Sequence, residues 1–153
     1  MNSNNGVKYQ PEGMRTVSPY LMVDHVAQLI EFAETVFNGK LKSKLDRPDG
    51  TIMHAEIAVG DSVIMAGEPM DQYGSFPASM YIYVQDCDAI YEKAIQNGAV
   101  SIMVPTDMKH AGERYGGVKD PFGNIWWIAT HIEDLTPEEQ EKRIQEMKSN
   151  WSS

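Results

Sequence analysis

What this 153-residue chain lacks removes several chemistries at once. Cysteine occurs once, at Cys87, so neither an intramolecular disulfide nor a cysteine zinc cluster can form, and a cytoplasmic location is expected. Basic residues are few. Thirteen Lys and Arg against 22 Asp and Glu give a formal net charge of −9, which repels nucleic acid and anionic membrane. No apolar run is long enough to span a bilayer, and the polar, Asn-rich stretch from Met1 to Gln10 does not read as a signal peptide. A Gly-rich phosphate loop, a nucleophile elbow and a Cys-x-x-Cys pair are missing too. With 42% hydrophobic and 23% charged residues, what remains is enough for one well-buried core.

The most informative stretch runs from Arg114 to His131. It reads as two strands joined by a tight turn: Pro121 fixes φ, Gly123 can take the positive φ that closes the turn, and a β-rich run follows from Ile125 to Thr130. In that second strand Ile125, Trp127, Ala129 and His131 share one face, and Trp126, Ile128 and Thr130 share the other. Large apolar groups on both faces require cover on both, by helix on one side and by a cavity wall on the other.

Before that hairpin the chain repeats a pattern. Residues 1–15 form an arm without apolar periodicity. A strand over Thr16 to Val23 is expected to place Val17, Leu21 and Val23 together, opposite Ser18, Tyr20 and Met22. Asp24 can cap a helix with apolar positions Val26, Leu29, Ile30, Ala33, Val36 and Phe37, stopped by Asn38-Gly39. Three strands follow, at 40–46, 51–59 and 62–68. After the segment from Pro69 to Pro77, a strand from Met80 to Gln85 and a helix capped by Asp86 and ended by Asn97-Gly98 begin the pattern again. Val23 and Val84, Asn38-Gly39 and Asn97-Gly98, and Gly60-Asp61 and Gly123-Asn124 recur in order at spacings of roughly 60 residues. A duplicated βαβββ unit is the economical explanation.

These two units, the helix-ending Asn-Gly and the Asp120-Pro121-Phe122-Gly123-Asn124 turn before a strand resemble the vicinal oxygen chelate superfamily, which contains glyoxalase I, bleomycin-resistance proteins and extradiol dioxygenases. Arg114-Tyr115-Gly116 and Trp127-Ile128-Ala129-Thr130-His131, followed by Glu133-Asp134 and a Pro-Glu-Glu helix, resemble its PhnB-like branch. The resemblance covers about residues 16–131. It implies an α+β fold of two βαβββ modules, at about 16–68 and 79–131, that curl a mixed sheet into a cup with the ligand inside, followed by a C-terminal helix over 136–150. It also implies a homodimer.

Metal enzymes of the superfamily place His, Gln or Glu on the first and last strand of each module. Here the corresponding positions fall at Ser18, Ser79, Trp127 and either Ile64 or Met65, none of them a good ligand for a divalent ion. No resident cofactor is therefore expected.

Alternation in residues 51–59 puts Met53, Ala55, Ile57 and Val59 under the helix and turns His54, Glu56 and Ala58 to the cup side. The same reasoning brings Tyr20, Tyr81, Tyr83 and Trp127 inward, and Tyr115 joins them as a candidate ligand contact. Such a lining suits a flat or partly apolar small molecule, oriented by His54, Glu56 and tyrosine hydroxyls. Two functional classes stay open: a non-enzymatic small-molecule binder, or a metal-dependent lyase, isomerase or dioxygenase with a relocated site built from His54, Glu56 and His110 or His131. A protein-interaction module is a third. His25 reads as structural in the first helical turn, and Cys87 as an inert thiol on a buried helix face. Thr136-Pro137-Glu138-Glu139 is a helix start, and the apolar face beyond it is thin: Ile144, Met147 and Trp151.

Overall fold

The computed structural model of the protein describes residues 6–152. The chain divides into two compact units that meet in sequence between Ala78 and Ser79.

The first unit contains β1 (Tyr20–Met22), α1 (Val26–Phe37), β2 (Lys40–Asp46), β3 (Ile52–Val59) and β4 (Ser62–Gly67). They form a four-stranded sheet in the order β1-β4-β3-β2, with β1 parallel to β4 and the other pairs antiparallel. One stripe of α1 is apolar at three-four spacing, and seven of its residues, from Val26 to Phe37, are buried as it packs on β2 and β3.

The second unit repeats this architecture with β5 (Ser79–Tyr83), α2 (Cys87–Gln96), β6 (Val100–Met108), β7 (Glu113–Lys119) and β8 (Ile125–His131). Its strand order is β5-β8-β7-β6, again with a single parallel pair, β5 with β8. The expected α+β duplication of βαβββ modules is therefore the observed fold. A last helix, α3 (Pro137–Trp151), starts at a capping box in which Thr136 and Glu139 exchange hydrogen bonds. Arg143 ties it to the Glu133 carboxylate through two bonds of 2.7 Å, whereas Trp151 lies exposed. Among the described residues no helix is long and apolar enough to cross a membrane.

Three local expectations change. β1 is shorter than residues 16–23: Pro19 has no N–H to give the ladder, and Val17, expected beside Leu21 and Val23, is exposed. Asp24 does not cap α1. The N-cap is His25, held in the left-handed region at φ 63° with no side-chain cap bond, and Glu68 supplies the carboxylate instead, accepting from the Val26 N–H at 3.4 Å and from the Ile52 N–H. α1 does stop at Asn38-Gly39, with Asn38 taking the left-handed conformation at φ 54°. Met53, expected under α1, is exposed, because the β2–β3 ladder steps from Leu45 opposite His54 to Asp46 opposite Ile52. That irregularity passes over Met53 and buries Ile52 in its place. The arm expected over 1–15 is partly outside the described residues. From Gly6 to Arg15 it has neither helix nor strand, and the Arg15 guanidinium reaches Asp61 at 3.3 Å.

The turn that organises the second unit is built around one carboxylate. Asp120, buried, accepts from the backbone N–H groups of Phe122 and Asn124, from Asn124 Nδ2 and from Trp126 Nε1, each at 2.9 Å. A buried carboxylate is tolerable when its lone pairs are satisfied this fully. Gly123, at φ 97°, closes the turn as its position requires. Trp126, fully buried, is thus fixed at its indole nitrogen by a residue six positions earlier.

Candidate functional site

Pairing registers decide which side chains share a face. In the second unit Tyr81 lies opposite Trp127 across β5–β8, and Tyr115 lies opposite Ala129 across β7–β8. Since alternate residues of a strand point the same way, Tyr81, Tyr83, Tyr115 and Trp127 gather on one face. Their rings form a continuous series: Tyr83 to Tyr81 at 5.3 Å, Tyr81 to Tyr115 at 5.7 Å and Tyr115 to Trp127 at 6.2 Å between centroids, tilted by 59°, 65° and 90°. Gly117 makes room for the last of these, because a Cβ there would lie 2.6 Å from Trp127 Cζ3. The small Ala129, fully buried, occupies the strand between these rings.

One member of this face was not read from the sequence. Glu113, two residues before Tyr115, accepts the Tyr81 hydroxyl at 2.5 Å and the Tyr83 hydroxyl at 2.8 Å, one on each carboxylate oxygen. The signal was available, since the alternation that selects Tyr115 also selects Glu113. Opposite Glu113 in the ladder is His131, whose Nδ1 comes within 4.0 Å of Glu113 Oε1 and whose Nε2 is 2.8 Å from Asp134. Burial, and then the bond to Glu113, raises the Tyr81 phenol above its ordinary pKa. The Tyr83 phenol is raised chiefly by its bond to the same carboxylate. Both phenols therefore stay protonated and serve as donors.

The reverse face of this strand pair is structural. Arg114 binds both carboxylate oxygens of Asp88, at 2.7 and 2.8 Å, and reaches Asp107 at 3.0 Å, which holds the Asp88 carboxyl below its usual range. Cys87 is buried, and burial raises its thiol, so it is not poised as a nucleophile.

In the first unit the corresponding face is sparser. Tyr20 is opposite Met65, which settles the register between Ile64 and Met65: Met65 shares the face and Ile64 is buried on the other. The Tyr20 and His54 rings are 6.0 Å apart, and His54 Nε2 is 3.7 Å from Glu56 Oε1. These three, the first-unit candidates, are thus neighbours of one another. His110 and His25 make no part of either set.

The metal positions implied by the resemblance are occupied by groups that do not suit a divalent ion. Ser79 Oγ accepts from Trp127 Nε1 at 3.3 Å, so the first-strand and last-strand positions of the second module bond to each other. In the first module Ser18 Oγ is given to the Arg15 carbonyl at 3.1 Å, and Met65 offers only a thioether. Among the described residues no three His, Cys, Asp or Glu side chains converge closely enough to hold an ion.

Comparison with known proteins accords with this architecture. The chain is 28% identical to the uncharacterized protein Mb0911c of Mycobacterium bovis over 134 residues, 80% of this chain and 88% of that one. The structure of TioX from Micromonospora sp. ML1 aligns with a TM-score of 0.63 at 21% identity, over 76% of this chain and 99% of that one. A PhnB protein from Bacillus cereus, described as a putative 3-demethylubiquinone-9 3-methyltransferase, aligns at 0.64 and 16% identity, over the same shares. Glyoxalase I from Zea mays aligns at 0.62 and 18% identity, over 78% of this chain and 45% of that one. A sequence model of one family spans residues 15–128, and the chain accordingly belongs to the Glyoxalase/Bleomycin resistance protein/Dioxygenase superfamily.

Proposed function

We propose that the protein binds an aromatic or amphipathic small molecule against the aromatic face of its second sheet, without the metal used by enzymes of the superfamily. The observation that carries this reading is the run of four rings from Tyr83 to Trp127 with Glu113 beside them. The rings meet tilted or edge-to-face, and Tyr81 and Tyr83 remain exposed, so apolar ring surface is available to a ligand. The bonded pair Ser79 and Trp127 supports the absence of a metal requirement, because an indole supplies no lone pair to an ion. Tyr20, His54 and Glu56 form a separate candidate ligand-contact set on the sheet of the first unit. A homodimer in the cytoplasm is the setting we assign to it.

The test is a ligand screen read by tryptophan fluorescence. An aromatic ligand quenches the emission, and Trp127→Ala weakens its binding by on the order of 1 to 3 kcal/mol through lost stacking and burial. A panel of flat aromatic compounds that leaves the emission unchanged at millimolar concentration overturns the reading.

One observation favours a second reading. His54 and Glu56, 3.7 Å apart on a single strand face, are an acid-base or ligand pair of the kind a relocated metal centre would use. On that reading one ion per chain is retained on purification and lost in His54→Ala. Substoichiometric zinc, nickel and iron in elemental analysis of protein purified without chelator counts against it.

A further inference from the structure

We propose that the ligand taken by the aromatic face of the second sheet is an organic cation, a small molecule bearing an alkylated or protonated amine on a flat or apolar body. The inference rests on the small-molecule reading above and specifies its charge. Three tyrosines and a tryptophan at centroid spacings of 5.3 to 6.2 Å gather on one side of the sheet, and the exposed Tyr81 and Tyr83 offer negative ring faces there. Such faces attract an ammonium group, most strongly where water is partly excluded.

Glu113 is the second and independent element. Its side chain is only 15% exposed, and its carboxylate oxygens accept from two neutral phenols. Among the described residues its one basic neighbour is His131 Nδ1, 4.0 Å away, and that imidazole is committed to Asp134 at 2.8 Å through its other nitrogen. The nearby guanidinium groups are spent elsewhere, Arg114 on Asp88 and Asp107 and Arg143 on Glu133. A half-buried carboxylate without a lysine or arginine partner favours a cation, leaves a neutral ligand without charge pairing and repels an anion. The phenols stay protonated, so they hold the carboxylate in place without competing for the cation. The chain's net charge of −9 adds a long-range attraction of the same sign.

The experiment compares three probes of similar size on the full chain: phenyltrimethylammonium, its uncharged isostere tert-butylbenzene, and benzoate. Binding is followed by tryptophan quenching and calorimetry at low and high salt. Phenyltrimethylammonium is expected to bind about tenfold or more tightly than the isostere, to lose that advantage as salt rises, and to exceed benzoate by a wider margin. Glu113→Gln is expected to lower the affinity for the cation by about tenfold while leaving the isostere within about threefold, and its thermal melt reports whether the fold is intact. The unmodified protein alone decides the charge preference, so an unstable variant does not rescue the proposal. If the isostere or benzoate binds as well as the cation, the charge assignment is overturned and the small-molecule reading survives. If the cation wins but Glu113→Gln folds and keeps the preference, the role of Glu113 is overturned. If none of the three perturbs the protein, the small-molecule reading fails and this inference with it.

Discussion

The two modules have one backbone plan and two different working faces. Each orders its strands 1-4-3-2 and carries its helix between the first two. The same register even places a ring against a ring, Tyr20 with His54 at 6.0 Å in the first module and Tyr81 with Tyr115 at 5.7 Å in the second. Next to that pair they diverge. The first module has Glu56 opposite Met65, and the second has Gly117 opposite Trp127. A side chain at position 117 would strike the indole, so the second module exchanges a carboxylate for aromatic surface and takes its carboxylate from Glu113 at the start of β7 instead. The backbone repeat thus supplies positions, and two or three substitutions on one face supply the chemistry.

The largest expected difference lies in the turns. Asp120→Ala removes a buried carboxylate that accepts four hydrogen bonds, among them those from the Asn124 amide and the Trp126 indole N–H, and is expected to cost roughly 3 to 5 kcal/mol in urea unfolding. Asp61→Ala, in the matching two-residue turn of the first module, removes exposed contacts to Arg15 and to the Ser62 hydroxyl and is expected to cost within about 0.5 kcal/mol. Equal costs would mean that the second module does not depend on its turn.

Adjacent tryptophans sharpen the contrast between the faces of one strand. Trp126→Ala empties a fully buried site and is expected to cost roughly 3 to 5 kcal/mol of stability. Trp127→Ala is expected to act mainly on ligand affinity, as described above. Reversed phenotypes, by thermal melts and titration, would invert the assignment of faces.

The free edges differ as well. β2 alternates Lys40, Lys42 and Lys44 with shorter or apolar residues, a charged edge that resists pairing, whereas β6 exposes Val100, Ile102 and Val104 before Pro105 interrupts it. If the proposed homodimer uses the β6 edge, Ile102→Lys is expected to yield monomer in sedimentation at micromolar protein. Leu45→Lys on β2 is expected to leave the dimer intact. A wild-type chain that sediments as a monomer at every concentration removes the dimer altogether.

The smallest effect is a titration. The Tyr81 and Tyr83 pKa values are raised in the fold, so above the ordinary phenol value of 10.0 the unfolded chain releases these protons first. The contribution to stability is complete below that pH and declines as pH rises beyond it. Phenolate absorbance is expected to show two tyrosines titrating late, and Glu113→Gln is expected to bring Tyr83 back toward the rest. Uniform titration of all the tyrosines would dissolve the network.

The duplication was legible because its signals are local. Asn-Gly helix stops, strand alternation and the Pro121 and Gly123 turn are each set by a few neighbouring residues, and the strands at 40–46 and 125–131 follow them closely. Errors came where a distant group intervened. Glu68 displaced Asp24 at the start of α1, and an irregular β2–β3 ladder displaced Met53, neither of which a pattern within one element can register. On the candidate face, alternation found the aromatic residues, but the bond from two tyrosines to Glu113 depends on strands thirty or more positions apart meeting in register. The chemical reason for Asp120 was likewise invisible until Trp126 folded back on it.

The Glu68 carboxylate has a kinetic corollary. α2 carries its own cap, Asp86, which accepts from the Ala89 N–H three residues on, so that helix can begin to form before any sheet exists. α1 takes its carboxylate from a residue 42 positions later, at the end of β4, and its N-terminus gains that partner only after β4 has come alongside. The two copies of one module would then nucleate in opposite senses, the second from its helix outward and the first from its sheet inward. Mutations of Asp86 would slow folding, while those of Glu68 would mainly speed unfolding.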